Sequence, residues 1–158
     1  MGEVELSYDR LGSRLVGIGP VPLAYDRLGS RPRRLGDLEL SYDMLGSRLR
    51  SVGPFTIDYD MLGSRPRTLG QWSIEYDRLG SRIRQVGPYP LTYRMLGSRV
   101  ETIGPVRIRY DRLGSRPRRV QLPDGVDTLT EDLLVVLFLV LDRRRREEEQ
   151  RRRRSSQQ

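Results

Sequence analysis

The chain has 158 residues, 36% of them apolar, and a formal net charge of +8 carried by 29 basic residues that are all Arg. It holds no Cys and no His, which excludes disulfides and thiolate chemistry and removes the commonest metal ligand and the usual general base. So low an apolar share supports only a thin core, and the positive excess lies wholly on residues 1–120, because residues 121–158 carry eight Arg against eight acids.

The first residues, MGEVELSYDR, contain neither a basic leader nor an apolar one. No cleaved signal is expected, and a cytoplasmic location is. Leu6 stands where an N-myristoylation signal would need Ser or Thr.

From there SYDRLGSR returns in seven versions, with its tyrosine at Tyr8, Tyr25, Tyr42, Tyr59, Tyr76, Tyr93 and Tyr110, always 17 residues apart. A period without insertions is what stacked structural units require, since each must meet its neighbour in register. Aligned on Tyr, each unit has apolar residues four and two positions earlier, as in Val4 and Leu6, Phe55 and Ile57, or Trp72 and Ile74. This alternation predicts a half-buried strand. Leu follows at Tyr+3, from Leu11 to Leu113, then Gly-Ser-Arg, a second extended stretch, an aliphatic at Tyr+10 such as Ile18, Leu35 or Val52, and another Gly. Glycine supplies positive φ at a turn without steric cost, so each unit reads as strand, turn, strand, turn.

Two architectures accommodate seven such units over residues 1–121. In a β-solenoid each unit is one coil, and Tyr−4, Tyr−2, Tyr, Tyr+3 and Tyr+10 form inward columns. In a β-hairpin meander each unit is a hairpin of one long sheet. An odd period turns successive hairpins to opposite faces unless every unit carries a bulge, whereas a solenoid resets direction at its corners. The expected fold is therefore mainly β, a solenoid rod about 33 Å long, with the meander as alternative.

The charges repeat too. Tyr+1 is Asp in six units but Arg94 in the sixth, where Tyr+8, usually Arg, becomes Glu101. In a hairpin these two positions would be cross-strand partners. In a solenoid the swap would relieve stacking of like charges, giving columns Asp77, Arg94, Asp111 and Arg84, Glu101, Arg118. Tyr+6 is always Arg: Arg14, Arg31, Arg48, Arg65, Arg82, Arg99 and Arg116. This row is the candidate anion-binding site, and the alternative for it is a structural network with Asp and Tyr.

YDRLGSR, preceded by Gly and an extended stretch, resembles the Tyr-Asp repeat of the RHS/YD family, Gly then Tyr-x-Tyr-Asp-x-x-Gly-Arg. The likeness covers roughly residues 1–121, with Gly-Ser-Arg for Gly-Arg, no earlier Tyr and a shorter period. It implies β-architecture, which in that family winds into a hollow shell that encloses a toxin or mediates surface contacts.

Residues 122–129 form a linker broken by Pro123 and Gly125. A helix is expected over 130–154, capped by Thr130 or Asp127 and with Glu131 and Asp132 at its positive end. Its run LLVVLFLVL is apolar on every side, so Leu133, Leu134, Val136, Leu137, Phe138, Val140 and Leu141 form a candidate association surface. Nine residues are too few to span a bilayer. Beyond them Glu147, Glu148 and Glu149 lie four residues before Arg151, Arg152 and Arg153, the favourable order for helical ion pairs, and 155–158 is read as a disordered end.

No cofactor is expected. Without His, Cys or Lys, an enzyme would rely on carboxylates, Tyr, Ser and Arg, and here those recur in every unit as structure does. The reading is a non-enzymatic structural or self-assembling scaffold, associating with itself or a protein partner through the helix or through β-edges. Its alternative is a module that binds a polyanion, nucleic acid or an acidic surface, along the stacked arginines.

Overall fold

The computed structural model describes residues 2–9, 14–26, 31–43, 48–60, 65–77, 82–94, 99–111 and 116–156, without the side chains of 148–153 and 156. The chain divides into two compact units, Met1–Thr128 and Leu129–Gln158. The first contains β1 (Glu3–Tyr8), β2 (Leu15–Ile18), β3 (Val21–Tyr25), β4 (Pro32–Leu35), β5 (Leu38–Tyr42), β6 (Leu49–Val52) and β7 (Phe55–Tyr59). It continues with β8 (Pro66–Leu69), β9 (Trp72–Tyr76), β10 (Ile83–Val86), β11 (Tyr89–Tyr93), β12 (Val100–Ile103), β13 (Val106–Tyr110) and β14 (Pro117–Gln121). All are antiparallel to their neighbours, and β1 pairs with β14, so the sheet closes into a barrel.

The solenoid is therefore wrong and the hairpin alternative holds, in a closed form. The reason lies in one residue per unit. Each of the seven hairpins carries a register shift beside its tyrosine, first at Ser7/Tyr8 and last at Arg109/Tyr110. In the first hairpin Ser7 faces Gly17 and Tyr8 faces Leu15, so Val16 is the extra residue. A bulge removes one residue from the ladder, which turns an odd period into an even one and returns every hairpin to the same face.

With the faces in phase, the inner rows are aliphatic. Tyr−2 (Leu6, Leu23, Leu40, Ile57, Ile74, Leu91, Ile108) faces Tyr+10 of its own hairpin, as in Leu6 opposite Ile18, and both rows are buried. Tyr+7, which the alternation count missed, is buried as well: Leu15, Leu49, Ile83 and Val100, with Pro32, Pro66 and Pro117 in the other units. It lies three residues from Tyr+10, an odd step that only the bulge explains. The Tyr+3 leucines, also expected inside, lie outside the described residues, as do the Gly-Ser turns. The outer rows are polar, with Glu5, Glu39, Arg33, Arg50 and Arg67 exposed. Charged outer rows on strands of four to six residues invert the pattern of a lipid-facing barrel, which needs apolar outer rows on longer strands.

The barrel's two ends differ. At one end Gly-Pro, Gly-Asp, Gly-Gln and similar pairs join consecutive hairpins, as between the paired Ile18 and Val21. Gly53 (φ 55°) takes the first central position of such a turn, which suits a type II′ connection. At the other end six-residue loops are each bracketed by a backbone bond from the Tyr+1 N–H to the Tyr+6 carbonyl, 2.9–3.0 Å long in all seven units.

The second unit is one helix, α1 (Glu131–Ser156). The Thr130 hydroxyl accepts from the Leu133 N–H at 3.3 Å, so Thr130 is the cap. The helix runs on through residues 155 and 156, two residues further than expected. Asp142 pairs with Arg145 at 3.3 Å and Arg146 at 3.1 Å, and Arg143 with Glu147 at 3.2 Å. The expected pairs to Arg151, Arg152 and Arg153 lie outside the described side chains. No helix is long and apolar enough to cross a membrane among the described residues.

Candidate functional site

The loop end of the barrel gathers the repeated polar residues into stations, one per hairpin. Between consecutive hairpins the strands pair over only two residues at the tight-turn end, as in Gln85 opposite Pro90 and Val86 opposite Tyr89. Toward the loop end the neighbouring tyrosine bridges the gap. Tyr25 donates its hydroxyl to the Leu15 carbonyl at 2.7 Å, Tyr59 to Leu49 at 2.7 Å and Tyr93 to Ile83 at 2.6 Å.

Arg at Tyr+6 completes six of the seven stations. Its Nε meets the Tyr+1 carboxylate of its own unit: Arg14 to Asp9 at 3.0 Å, Arg31 to Asp26 at 2.8 Å, Arg48 to Asp43 at 2.9 Å, Arg65 to Asp60 at 3.3 Å and Arg82 to Asp77 at 2.8 Å. The same guanidinium lies over the tyrosine of the next unit, with its carbon 4.4–4.9 Å from the ring centre for these five. One cation thus serves a carboxylate and a π-face at once. The seam repeats the arrangement without a covalent link. Arg116 covers Tyr8 at 4.3 Å, and Tyr8 donates to the Pro117 carbonyl at 2.6 Å.

Six of the seven predicted arginines therefore sit on the ring of the next tyrosine. They stand two strands apart, about 9.5 Å, rather than stacked one strand apart as a solenoid would have them. The sixth unit differs, with Arg94 over Tyr110 at 4.8 Å in the place of Arg99. The proposed partnership of Tyr+1 with Tyr+8 is not seen either. Glu101 pairs with Arg107 at 2.8 Å and Arg84 with Glu75 at 3.0 Å, because Tyr+8 is the bulged residue and drops out of the ladder opposite Tyr+1.

That bulged row, read from the sequence as the structural partner of Tyr+1, is a second polar feature. It runs Val16, Arg33, Arg50, Arg67, Arg84, Glu101, Arg118, and a bulge aims its extra side chain outward. Arg33, Arg50 and Arg67 are exposed and have no carboxylate partner among the described residues. The signal available in the sequence was the odd period itself. On the helix, Leu133, Leu134, Val136, Leu137, Phe138, Val140 and Leu141 occupy consecutive turns of α1 and leave no polar side in that stretch. Each described strand of the closed barrel pairs with two neighbours.

No family model matches the chain, and neither does a curated protein or a solved structure. The RHS/YD resemblance rests on the Tyr-Asp motif alone.

Proposed function

We propose that the chain is a non-enzymatic scaffold, a closed ring of seven hairpins that holds an acidic protein partner on its outer wall. One observation carries this reading. The side chains that could do chemistry are tied to one another in the same way at station after station, whereas Arg33, Arg50 and Arg67 on the wall are not tied to anything described. A repeated internal network supports a framework, and an unmatched exposed cation row supports recognition of negative charge.

A second reading, nucleic-acid binding, is favoured by the even spacing of the same row. Arg33, Arg50, Arg67 and Arg84 follow one another at about 9.5 Å, which suits sequence-independent contacts to a phosphate backbone. One experiment separates the two. The intact chain and an Arg33→Ser/Arg50→Ser/Arg67→Ser variant are titrated with a poly-glutamate peptide and with a single-stranded oligonucleotide over a range of salt. The scaffold reading expects the peptide to bind at least as well as the oligonucleotide and the variant to lose it. Tighter oligonucleotide binding, with the salt slope falling by about two in the variant, selects nucleic acid. Binding of neither ligand defeats both.

A further inference from the structure

The tight-turn end of the barrel carries a departure of its own. At Tyr−4, where four units have Val or Leu, three consecutive ones have Phe55, Trp72 and Tyr89. The Phe55 and Trp72 ring centres lie 6.3 Å apart, and Tyr89 stands edge-on to Trp72 at 5.7 Å. All three rings are half-buried, so each keeps part of its surface open, whereas Val4 and Val106 in the same row are buried.

Two polar groups on this arc have no role in the fold. The seven repeat tyrosines each donate to a backbone carbonyl. The hydroxyl of Tyr89, the eighth tyrosine, has no hydrogen-bond partner among the described residues, and neither has the Trp72 indole N–H. Charge is missing as well. Residues 53–56, 70–73 and 87–90, which form the turns and strand starts of the arc, hold no charged side chain in a chain that is 32% charged. The corresponding positions of the unit before carry Asp37 and Glu39, and those of the unit after carry Arg107.

We propose that this arc docks a proline-rich segment of a partner protein in the polyproline II conformation. Proline has no backbone N–H, so such a segment presents carbonyls and almost no donors. An indole N–H can only donate, and a tyrosine hydroxyl can donate too. The two unused groups therefore match what the segment offers. Rings already packed on one another give pyrrolidine rings a wide apolar surface at little entropic cost, and the segment is itself extended before it binds. Aromatic surfaces recognise proline-rich chains on this basis. A strongly charged partner finds no counter-charge on the arc, so this surface is separate from the arginine wall.

Trp72 is the only tryptophan of the chain, so its emission reports on the arc directly. The full chain is titrated with a decaproline peptide, with cellohexaose as a neutral glycan and with phosphatidylcholine vesicles. Decaproline should shift the emission saturably and bind more tightly than the other two. Tyr89→Phe keeps the ring and removes a hydroxyl that holds nothing described, so its thermal midpoint should stay that of the parent while decaproline binds about fivefold more weakly. Arg50→Ser, on the arginine wall, should bind decaproline as the parent does. Tighter binding of cellohexaose or of the vesicles overturns the peptide assignment. Absence of any response to decaproline, unchanged binding by Tyr89→Phe, or an equal loss in Arg50→Ser overturns the site itself.

Discussion

At the tight-turn end of the barrel, six glycines with φ between 53° and 60° reverse the chain, and the apolar Tyr−4 side chains lie against them. At the loop end no such packing is described, and hydroxyls, carboxylates and guanidiniums join the hairpins instead. The first end is held by backbone geometry and contact, the second by directional polar bonds. Contact tolerates no added atom, whereas a polar bond can be weakened by degrees. The two ends should therefore respond very differently to small changes.

Gly87→Ala should have the largest effect. Its φ of 53° is left-handed, and a Cβ there would run into the Trp72 ring. That ring is itself fixed, edge-on to Tyr89 at 5.7 Å and beside Phe55 at 6.3 Å. Adding left-handed strain to overpacking gives a loss of about 2–5 kcal/mol, read as a lowered urea midpoint. A loss under about 0.5 kcal/mol would mean that the turn end adapts, and the contrast between the ends would fail.

Tyr→Phe substitutions at the loop end come next. Tyr59→Phe removes the 2.7 Å bond to Leu49 and should cost about 1 kcal/mol. Tyr8→Phe removes the same bond at the seam, to Pro117 at 2.6 Å. There no turn joins the strands, and β1 and β14 pair over three residues, Glu3 to Gln121, Val4 to Val120 and Glu5 to Arg119. Tyr8→Phe should cost about the same globally while raising amide exchange in β1 and β14, which Tyr59→Phe should leave unchanged. Equal exchange in both variants would show that the seam is no weaker than a covalent junction.

These positions also show how far the sequence could be read. Strand, turn, strand, turn followed from the alternation Val4, Leu6, Tyr8 and from Gly19, because those signals are local. The odd period posed the question of faces correctly, and the bulge it named as the meander's requirement is present in every unit. Choosing the solenoid amounted to assuming no bulge, and a bulge has no residue signature when its extra position can be Val16, Arg33 or Glu101. Closure was illegible for another reason. It depends on Glu3 meeting Gln121, a non-local pairing that no spacing encodes. In the candidate site, the Asp-Arg-Tyr network was foreseen as the structural alternative for the Tyr+6 row. Its wiring across units, with Arg14 on Tyr25 rather than Tyr8, required the strand order.

Asp43→Asn probes the ionic part of the loop end. At 14% exposure Asp43 is the most covered of the five barrel aspartates whose arginine pairs are described, so its bond to Arg48 is the one least screened by water among them. Arg48 keeps its place over Tyr59 in the variant, 4.9 Å from the ring centre in the parent. The expected loss is about 0.5–1 kcal/mol in dilute buffer, shrinking as salt is added. A salt-independent loss would assign the effect to loop geometry, through the Asp43 N–H to Arg48 carbonyl bond of 3.0 Å, rather than to charge.

Arg50→Ser should change stability least, within about 0.5 kcal/mol. Arg50 is the bulged residue of its hairpin: Ser41 faces Ser51 and Tyr42 faces Leu49, so it has no ladder partner to lose. Its side chain is exposed and without a described carboxylate, so no buried charge is uncovered when it goes. If anything, removing one cation from a chain of net charge +8 relieves repulsion. Thermal unfolding of Arg48→Ser beside Arg50→Ser makes the comparison within one strand end. The first removes a guanidinium that holds Asp43 and Tyr59 together, and the second removes one that holds no group among the described residues. A clear drop for Arg48→Ser with none for Arg50→Ser separates framework arginines from wall arginines. Equal drops would place the bulged row in the framework and leave the proposed acidic partner without a surface.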